Sequence, residues 1–382
     1  MNRSCINMME RGKISPVQMA LLMNPAISAT VLLLVPAITA KQAHHDLWLS
    51  PIWASLIGFF VVFITYQLNK LYPKETIIEY SEQILGKLVG KLVGAVFLLF
   101  YLHITGIIVR EYGEFLSGAF LQHTPIAVII GTMVLVCSFA VIGGLEVIGR
   151  ASEIIVPIVM LLYLFIFILL LKDLEIENMF PIMEKGIKPS LMGSIVPQSW
   201  FSEFLLISFF LPYVKNKKKG MKWGMISVIS VMLLMVLTNM MNLLLFGNLT
   251  PSLTYPVMIA ARYISIADFL EHLESIVMAI WIAGTFIKIT VFYYVLALGT
   301  AQWLKLSEYR PVVLPLGFLV LLHGLWSARD LQELSHFLAT SGAVYILSVQ
   351  VVIPVILLLV AFIRKKVQQR KGSLQNESPI NH

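Results

Sequence analysis

Two titratable residues sit inside long apolar runs. Lys288 lies in Ile287-Lys288-Ile289-Thr290 and Glu203 in Trp200-Phe201-Ser202-Glu203. A charge in hydrocarbon costs several kcal/mol unless it meets a counter-charge or faces a polar cavity, so each residue marks a candidate site. Two readings of Lys288 stand side by side. It pairs with a buried glutamate such as Glu203, or its ammonium takes the place of a coupling sodium ion beside the carbonyls of an interrupted helix. The sequence leaves its protonation open. Glu203 is a functional carboxylate or half of an internal ion pair. Trp200 and Phe201 form an aromatic wall over a ligand or pack as core.

Two prolines make the second feature. Pro25 stands in Met23-Asn24-Pro25-Ala26-Ile27-Ser28, and Pro197 in Ile195-Val196-Pro197-Gln198-Ser199-Trp200. Proline removes an amide donor and crowds the preceding turn. In lipid the freed carbonyls need partners, so helix breaks persist where they line a polar cavity. Corresponding breaks in the first helix of two halves predict an inverted repeat with a binding site at the membrane midplane. Half-helix amino ends there attract a substrate carboxylate. Two ordinary proline kinks are the simpler reading of the same residues.

Other polar groups read as structural. Arg110 and Glu114 share a helix face four residues apart and predict a local ion pair, beside Glu111. Glu146, Arg150 and Glu153 form a similar cluster, and His103 reads as a hydrogen-bonded core residue. Gly86-Lys87-Leu88-Val89-Gly90-Lys91 has the wrong spacing and context for a phosphate loop. There is no His-Glu-x-x-His or Gly-x-Ser-x-Gly motif, and the cysteines Cys5 and Cys137 are too few and too separated for a metal set or a disulfide. The sequence therefore predicts no enzyme and no cofactor.

The elements that must position these residues follow from composition. The chain has 382 residues, 58% hydrophobic and 13% charged, with mean hydropathy +0.84. Soluble domains carry roughly a quarter charged residues. The apolar residues cluster in blocks of about twenty, the length that crosses hydrocarbon as a helix. Ten spans are expected, near 15–39, 48–71, 92–120, 125–142, 154–171, 190–214, 223–246, 273–303, 311–326 and 337–363. The first opens on Ser15-Pro16-Val17-Gln18, a capping box with proline at the first helical position. It is too long for a signal peptide and lacks a small-residue cleavage site after Pro36, so it reads as retained. Residues 73–91 carry the stripe Ile77, Tyr80, Ile84 and Leu88, a short interfacial helix. Residues 254–267 suggest a short outer helix. The expected organisation is a tail over 1–13, one membrane domain over 14–364 and a basic, disordered tail over 365–382.

The formal charge of +7 flanks apolar blocks, which indicates membrane orientation and not nucleic-acid binding. Twenty of the 28 lysines and arginines fall on the side of the termini and seven on the other, with Lys288 inside a span. Positive loops stay inside, so both termini are expected in the cytoplasm.

Several stretches taken together resemble a known family. They are Tyr80-Ser81-Glu82-Gln83-Ile84-Leu85-Gly86-Lys87, Arg110-Glu111-Tyr112-Gly113-Glu114-Phe115-Leu116 and Gly144-Leu145-Glu146-Val147-Ile148-Gly149-Arg150-Ala151-Ser152-Glu153. Trp281 through Lys288 to Tyr294 and Glu308-Tyr309-Arg310-Pro311 complete the set. In order and spacing they are similar to the B subunit of spore nutrient-germinant receptors, a branch of the amino acid–polyamine–organocation transporter superfamily. The resemblance implies an all-α membrane protein of ten transmembrane helices, a 5+5 inverted repeat (LeuT-like) with broken helices 1 and 6. It implies the spore inner membrane, an A subunit and a lipoprotein C subunit as partners, and a small nutrient, commonly an amino acid, as ligand. A working amino acid permease is the alternative. By analogy the first break contributes Asn24, Ala26, Ile27, Ser28 and Thr30, and the sixth span contributes Ser199, Trp200, Phe201 and Glu203, with Lys288 nearby. Ser28, Ala29 and Thr30 replace the usual glycine-rich break, and their side chains narrow the pocket.

Overall fold

The computed structural model describes residues 9, 10, 12–264 and 273–376. Cys5, Asp268 and the ends of the two expected tails lie outside them. Helix α1 (Pro16–Ala43) starts on the expected capping box, with Gln18 N–H donating to Ser15 Oγ at 3.0 Å and Ser15 N–H to Gln18 Oε1 at 2.7 Å. It is followed by α2 (Ser50–Leu71), α3 (Ile77–Leu85), α4 (Lys87–Ala119), α5 (Ile126–Gly143), α6 (Leu145–Leu170) and α7 (Lys188–Ser202). Past α7 the sixth span tightens into a 3₁₀ turn over Glu203–Leu206, then runs through the short α8 (Ile207–Phe210) to Tyr213. Next come α9 (Gly220–Phe246), α10 (Pro256–Tyr263), α11 (Glu274–Leu304) and α12 (Arg310–Trp326). The last are α13 (Leu331–Ala339), α14 (Ser341–Leu347) and α15 (Ile353–Asn376), the last two joined by a π-turn.

Among the described residues nine helices are long and apolar enough to cross a membrane, and α12 with α13 makes a tenth, bent by 97°. That bend corrects the expected start of the last span. Residues 331–339 form a helix across the end of the bundle, and the span begins at Ser341. Arg110 fixes the corner: its guanidinium donates to the carbonyls of Leu325 and Arg329 at 3.1 and 2.7 Å while pairing with Glu114 at 2.6 Å. The Leu325 carbonyl belongs to the last turn of α12, which leaves it without an amide partner, and Arg329 lies in the bend before α13. α15 stays helical to Asn376, beyond residue 364 where the sequence reading ended the membrane domain. The short outer helix appears as α10.

Burial sorts the spans into layers. In α1, 89% of the most apolar stretch is buried, and in the sixth span 83%, against 22% in α6. Spans one and six are the axis, and α6 turns Ile154, Ile158, Leu161, Phe165 and Ile168 outward as a lipid-facing stripe.

Two sequence features acquire structural roles. Gly90 is where α4 crosses α3: a Cβ there would stand 2.4 Å from Glu82 Cα, so only glycine fits. Gly144, at φ +91°, turns α5 into α6. On α3, Ile77, Tyr80 and Ile84 are buried as expected, while Leu88 is exposed at the start of α4. Glu79 closes a capping box on Thr76 N–H and accepts from Gln302 Nε2 at 3.1 Å. Burial, the main cause, pushes its carboxyl up to about 7, with Glu75 adding to it.

Candidate functional site

The proline positions do not interrupt their helices as the sequence led us to expect. α1 runs unbroken through Pro25 and Pro36, and α7 through Pro197. Pro25 withholds one amide from the Leu21 carbonyl, yet the helix continues through it, and the polar side chains around the proline bond to one another. Asn24 Nδ2 donates to Ser230 Oγ at 3.0 Å and Ser28 Oγ to Asn24 Oδ1 at 3.3 Å. In α7, Ser194, Ser199 and Ser202 donate back to carbonyls three residues earlier at 2.6–2.7 Å. Such back-bonding bends a helix without opening it. The sixth span leaves α geometry only at Glu203, six residues after Pro197. Short 3₁₀ stretches inside a helix are common hinge elements.

At that hinge Lys288 Nζ donates to Glu203 Oε2 at 2.8 Å. The lysine side chain is 0% exposed and the glutamate side chain 4%. Of the two readings of Lys288, the structure contains the ion pair. The ammonium also lies 5.3 Å from the centre of the Phe292 ring, a favourable cation–π distance. The pair ties α11 to the axis where span six changes its winding.

A cavity of ≈ 40 Å³ opens one to two turns away, between the middle of α1, α6 and α11. Asn24, Pro25, Ser28 and Ala29 form its α1 wall, Tyr163 its α6 wall, and Trp281 and Gly284 its α11 wall. Nearly everything else lining it is aliphatic. Tyr163 is engaged with Thr238 at 2.5 Å. The Trp281 indole stacks on Tyr112 with ring centres 5.8 Å apart and crosses Phe115 at 4.3 Å. Its buried N–H has no partner among the described residues. A wider recess of ≈ 830 Å³ opens at the face away from the termini, between Lys41 at the end of α1, the 251–254 loop, and Arg329 to His336 around α13.

Of the ten residues the sequence proposed, Asn24 and Ser28 line the small apolar cavity. Glu203 and Lys288 meet each other. Thr30 accepts from Trp200 Nε1 at 3.0 Å, a direct tie between spans one and six. Phe201 stacks toward Phe204 at 6.4 Å, against α2. Ala26 and Ile27 are fully buried on another side of α1, and Ser199 turns back onto its own helix. The aromatic residues that line this cavity are Trp281 and Tyr163, and Trp200 and Phe201 do not line it. Trp281 and Gly284 were part of the quoted motif. Their four- and seven-residue distances from Lys288 were the signal that they share its helix face.

A residue the sequence reading left in a tail is also built in. Glu10, 4% exposed, accepts from Leu145 N–H at the start of α6 at 3.1 Å and from the Tyr294 and Tyr309 hydroxyls at 3.2 Å each. Beside it, Ile14 N–H donates to the Tyr213 carbonyl at 3.2 Å and Lys215 N–H to the Ile14 carbonyl at 2.9 Å.

Comparison with known proteins gives the same picture from outside. A family profile described as spore germination protein matches residues 13–330. Spore germination protein KB of Bacillus subtilis (strain 168) is 26% identical over 369 residues, covering 95% of this chain and 98% of its own. Spore germination protein YndE of the same organism is 29% identical over 300 residues, covering 77% and 82%. Among solved structures, a Na⁺-coupled sialic acid symporter in a substrate-bound outward-open state aligns with TM-score 0.64 at 12% identity, covering 90% of this chain and 80% of that one. A nucleobase–cation symport-1 family transporter in a closed conformation aligns with TM-score 0.63 at 12% identity, covering 94% and 80%. The shared fold is the expected 5+5 helical architecture, with the interruption of the first helix absent here.

Proposed function

Because this chain belongs to the spore germination protein family, we propose that it is the nutrient-sensing subunit of a spore germination receptor. The chain is a germination-related membrane protein of permease-like fold. The finer reading is that a small nutrient, most simply an amino acid, enters from the wide recess and seats between α1, α6 and α11. The observation that carries it is the small apolar cavity beside Asn24, Ser28 and Trp281, next to the hinge where Lys288 holds Glu203. An apolar wall with few polar groups is the usual make-up of a small-molecule site. The indole N–H and the Asn24–Ser28 pair are the groups that recognise polar atoms of the ligand.

Binding works by shifting a population. Ligand that fits one packing of α11 on α1 better than another raises the share of that state by its differential affinity. At ≈ 40 Å³ the cavity has room for only about three waters in its present form, so seating a nutrient requires α11 or α6 to move outward. In this reading that displacement is what an A subunit and a lipoprotein C subunit receive, in the spore inner membrane with both termini of this chain in the cytoplasm.

The test is thermal stabilisation of the purified chain, alone and with its partner subunits, against amino acids, sugars and nucleosides. A ligand that binds only the folded state raises the midpoint with concentration. Absence of any shift across these classes, in the complex as well as alone, sinks the sensing reading. The fold shared with two symporters favours one second reading, that solute crosses. Uptake of labelled ligand into proteoliposomes containing this chain alone decides for it.

A further inference from the structure

The Lys288–Glu203 pair has a third charged neighbour. Glu111 of α4 is 2% exposed, and its Oε1 has no hydrogen-bond partner among the described residues. It lies within electrostatic reach of both Lys288 and Glu203. α4 and α11 run antiparallel, with Phe115 against Trp281 at 4.3 Å and Tyr101 against Phe292 at 6.1 Å. Glu111 falls between these contacts, above Lys288 toward the face away from the termini. Thr285, one turn before Lys288 on α11, is also fully buried with an unpartnered hydroxyl.

The other charges nearby are committed. Arg110 and Glu114 pair with each other on α4, and Arg110 spends its remaining donors on the α12 corner. Tyr255, ahead of α10, faces both Glu111 and Glu114 and is neutral as a phenol. That leaves two carboxylates and one ammonium in a water-poor interior. Fully ionised, the trio carries one negative charge that no other described residue nearby compensates, and an uncompensated buried carboxylate is among the costliest groups a fold can contain. One more positive charge is needed. Glu111, Thr285 and Lys288 line neither the cavity nor the recess described above, and a proton, unlike a metal ion or a ligand amine, needs no cavity.

We propose that Glu111 is a proton-binding site, a neutral carboxylic acid that balances the Lys288–Glu203 pair and makes the packing of α4 on α11 depend on one proton. The proton comes from water, forms one O–H bond on the Glu111 carboxyl, and returns to water when that bond breaks. Loading and unloading require the two helices to part, which places the proton under the control of the same interface that flanks the cavity.

Infrared spectroscopy of the full chain in lipid nanodiscs at neutral pH tests this directly, because a carboxylic acid and a carboxylate absorb at different frequencies. Glu111→Gln, a neutral isostere, is expected to remove one buried carboxylic-acid band and leave the thermal midpoint unchanged. Glu203→Gln, which strands Lys288, is expected to lower the midpoint. Glu111→Leu supplies a second neutral replacement that should behave like Glu111→Gln. An undiminished carboxylic-acid absorbance in either Glu111 variant, measured in a Glu79→Gln background, or collapse of both variants, overturns the proposal. These readouts use no ligand, so their failure is separate from failure of the nutrient-sensing reading.

Discussion

Lys288→Met is the perturbation whose outcome follows most directly from the structure. The side chain is fully buried, 2.8 Å from Glu203 Oε2. At that separation two unit charges attract by about 6 kcal/mol at an effective dielectric of roughly 20. Desolvation of both groups offsets most of this, which is why replacing a whole buried pair is often neutral. Removing one partner is different: it strands the other, at about 3–5 kcal/mol. Methionine fills the volume of the lysine stem, so little of the loss comes from a void. Lys288→Met is therefore expected to destabilise the chain by about 3–5 kcal/mol, and adding Glu203→Gln to restore most of it. The assay is denaturant or thermal unfolding in one detergent at fixed protein concentration, arranged as a double-mutant cycle. A single variant within about 0.5 kcal/mol of wild type, or a double variant whose loss is the sum of the two singles, refutes the argument that the pair acts as a unit.

Three further outcomes follow. Gly284→Leu directs a side chain into the cavity, since a Cβ there meets only Ala29 at an ordinary 3.4 Å; it should weaken ligand-induced stabilisation at least about tenfold while raising helix propensity by roughly 0.5–1 kcal/mol, read by ligand-titrated melting. Gly90→Ala should cost about 1–3 kcal/mol by overpacking, because the added methyl meets the Glu82 backbone at 2.4 Å, and urea unfolding measures it. Glu79 binds its proton more tightly folded than unfolded, with its carboxyl pushed from 4.5 to about 7. Stability should therefore be highest below about pH 4.5, fall as pH rises to about 7 and level off above, a slope that Glu79→Gln should flatten in melting curves taken across pH.

The spans were legible because hydrocarbon imposes a length and a composition that no other solvent does. Hence 15–39, 92–120 and 273–303 fell within a few residues of α1, α4 and α11. The Ser15 capping box and the Arg110–Glu114 pair were legible because both are local, three and four residues apart. The Lys288–Glu203 contact joins residues 85 positions apart, so sequence offered it only as one of two readings. Pro25 misled because one lost amide does not by itself open a helix buried along most of its length, as α1 is. Glu111 and Glu10 were hidden by position: one read as the edge of a surface pair and the other as tail, and only packing shows that both are buried.

The short backbone bridge between Ile14 and Val214 constrains how this protein can move. It staples the entrance of the first span to the exit of the sixth, and Thr30 with Trp200 fastens the pair again farther in. Two spans pinned at two heights cannot slide past each other, and the freedom left to the sixth lies at the Glu203 turn between the pins. A disturbance beside α1 is therefore passed to the terminal face, where Glu10 moors the segment leading into α1 to Leu145, Tyr294 and Tyr309.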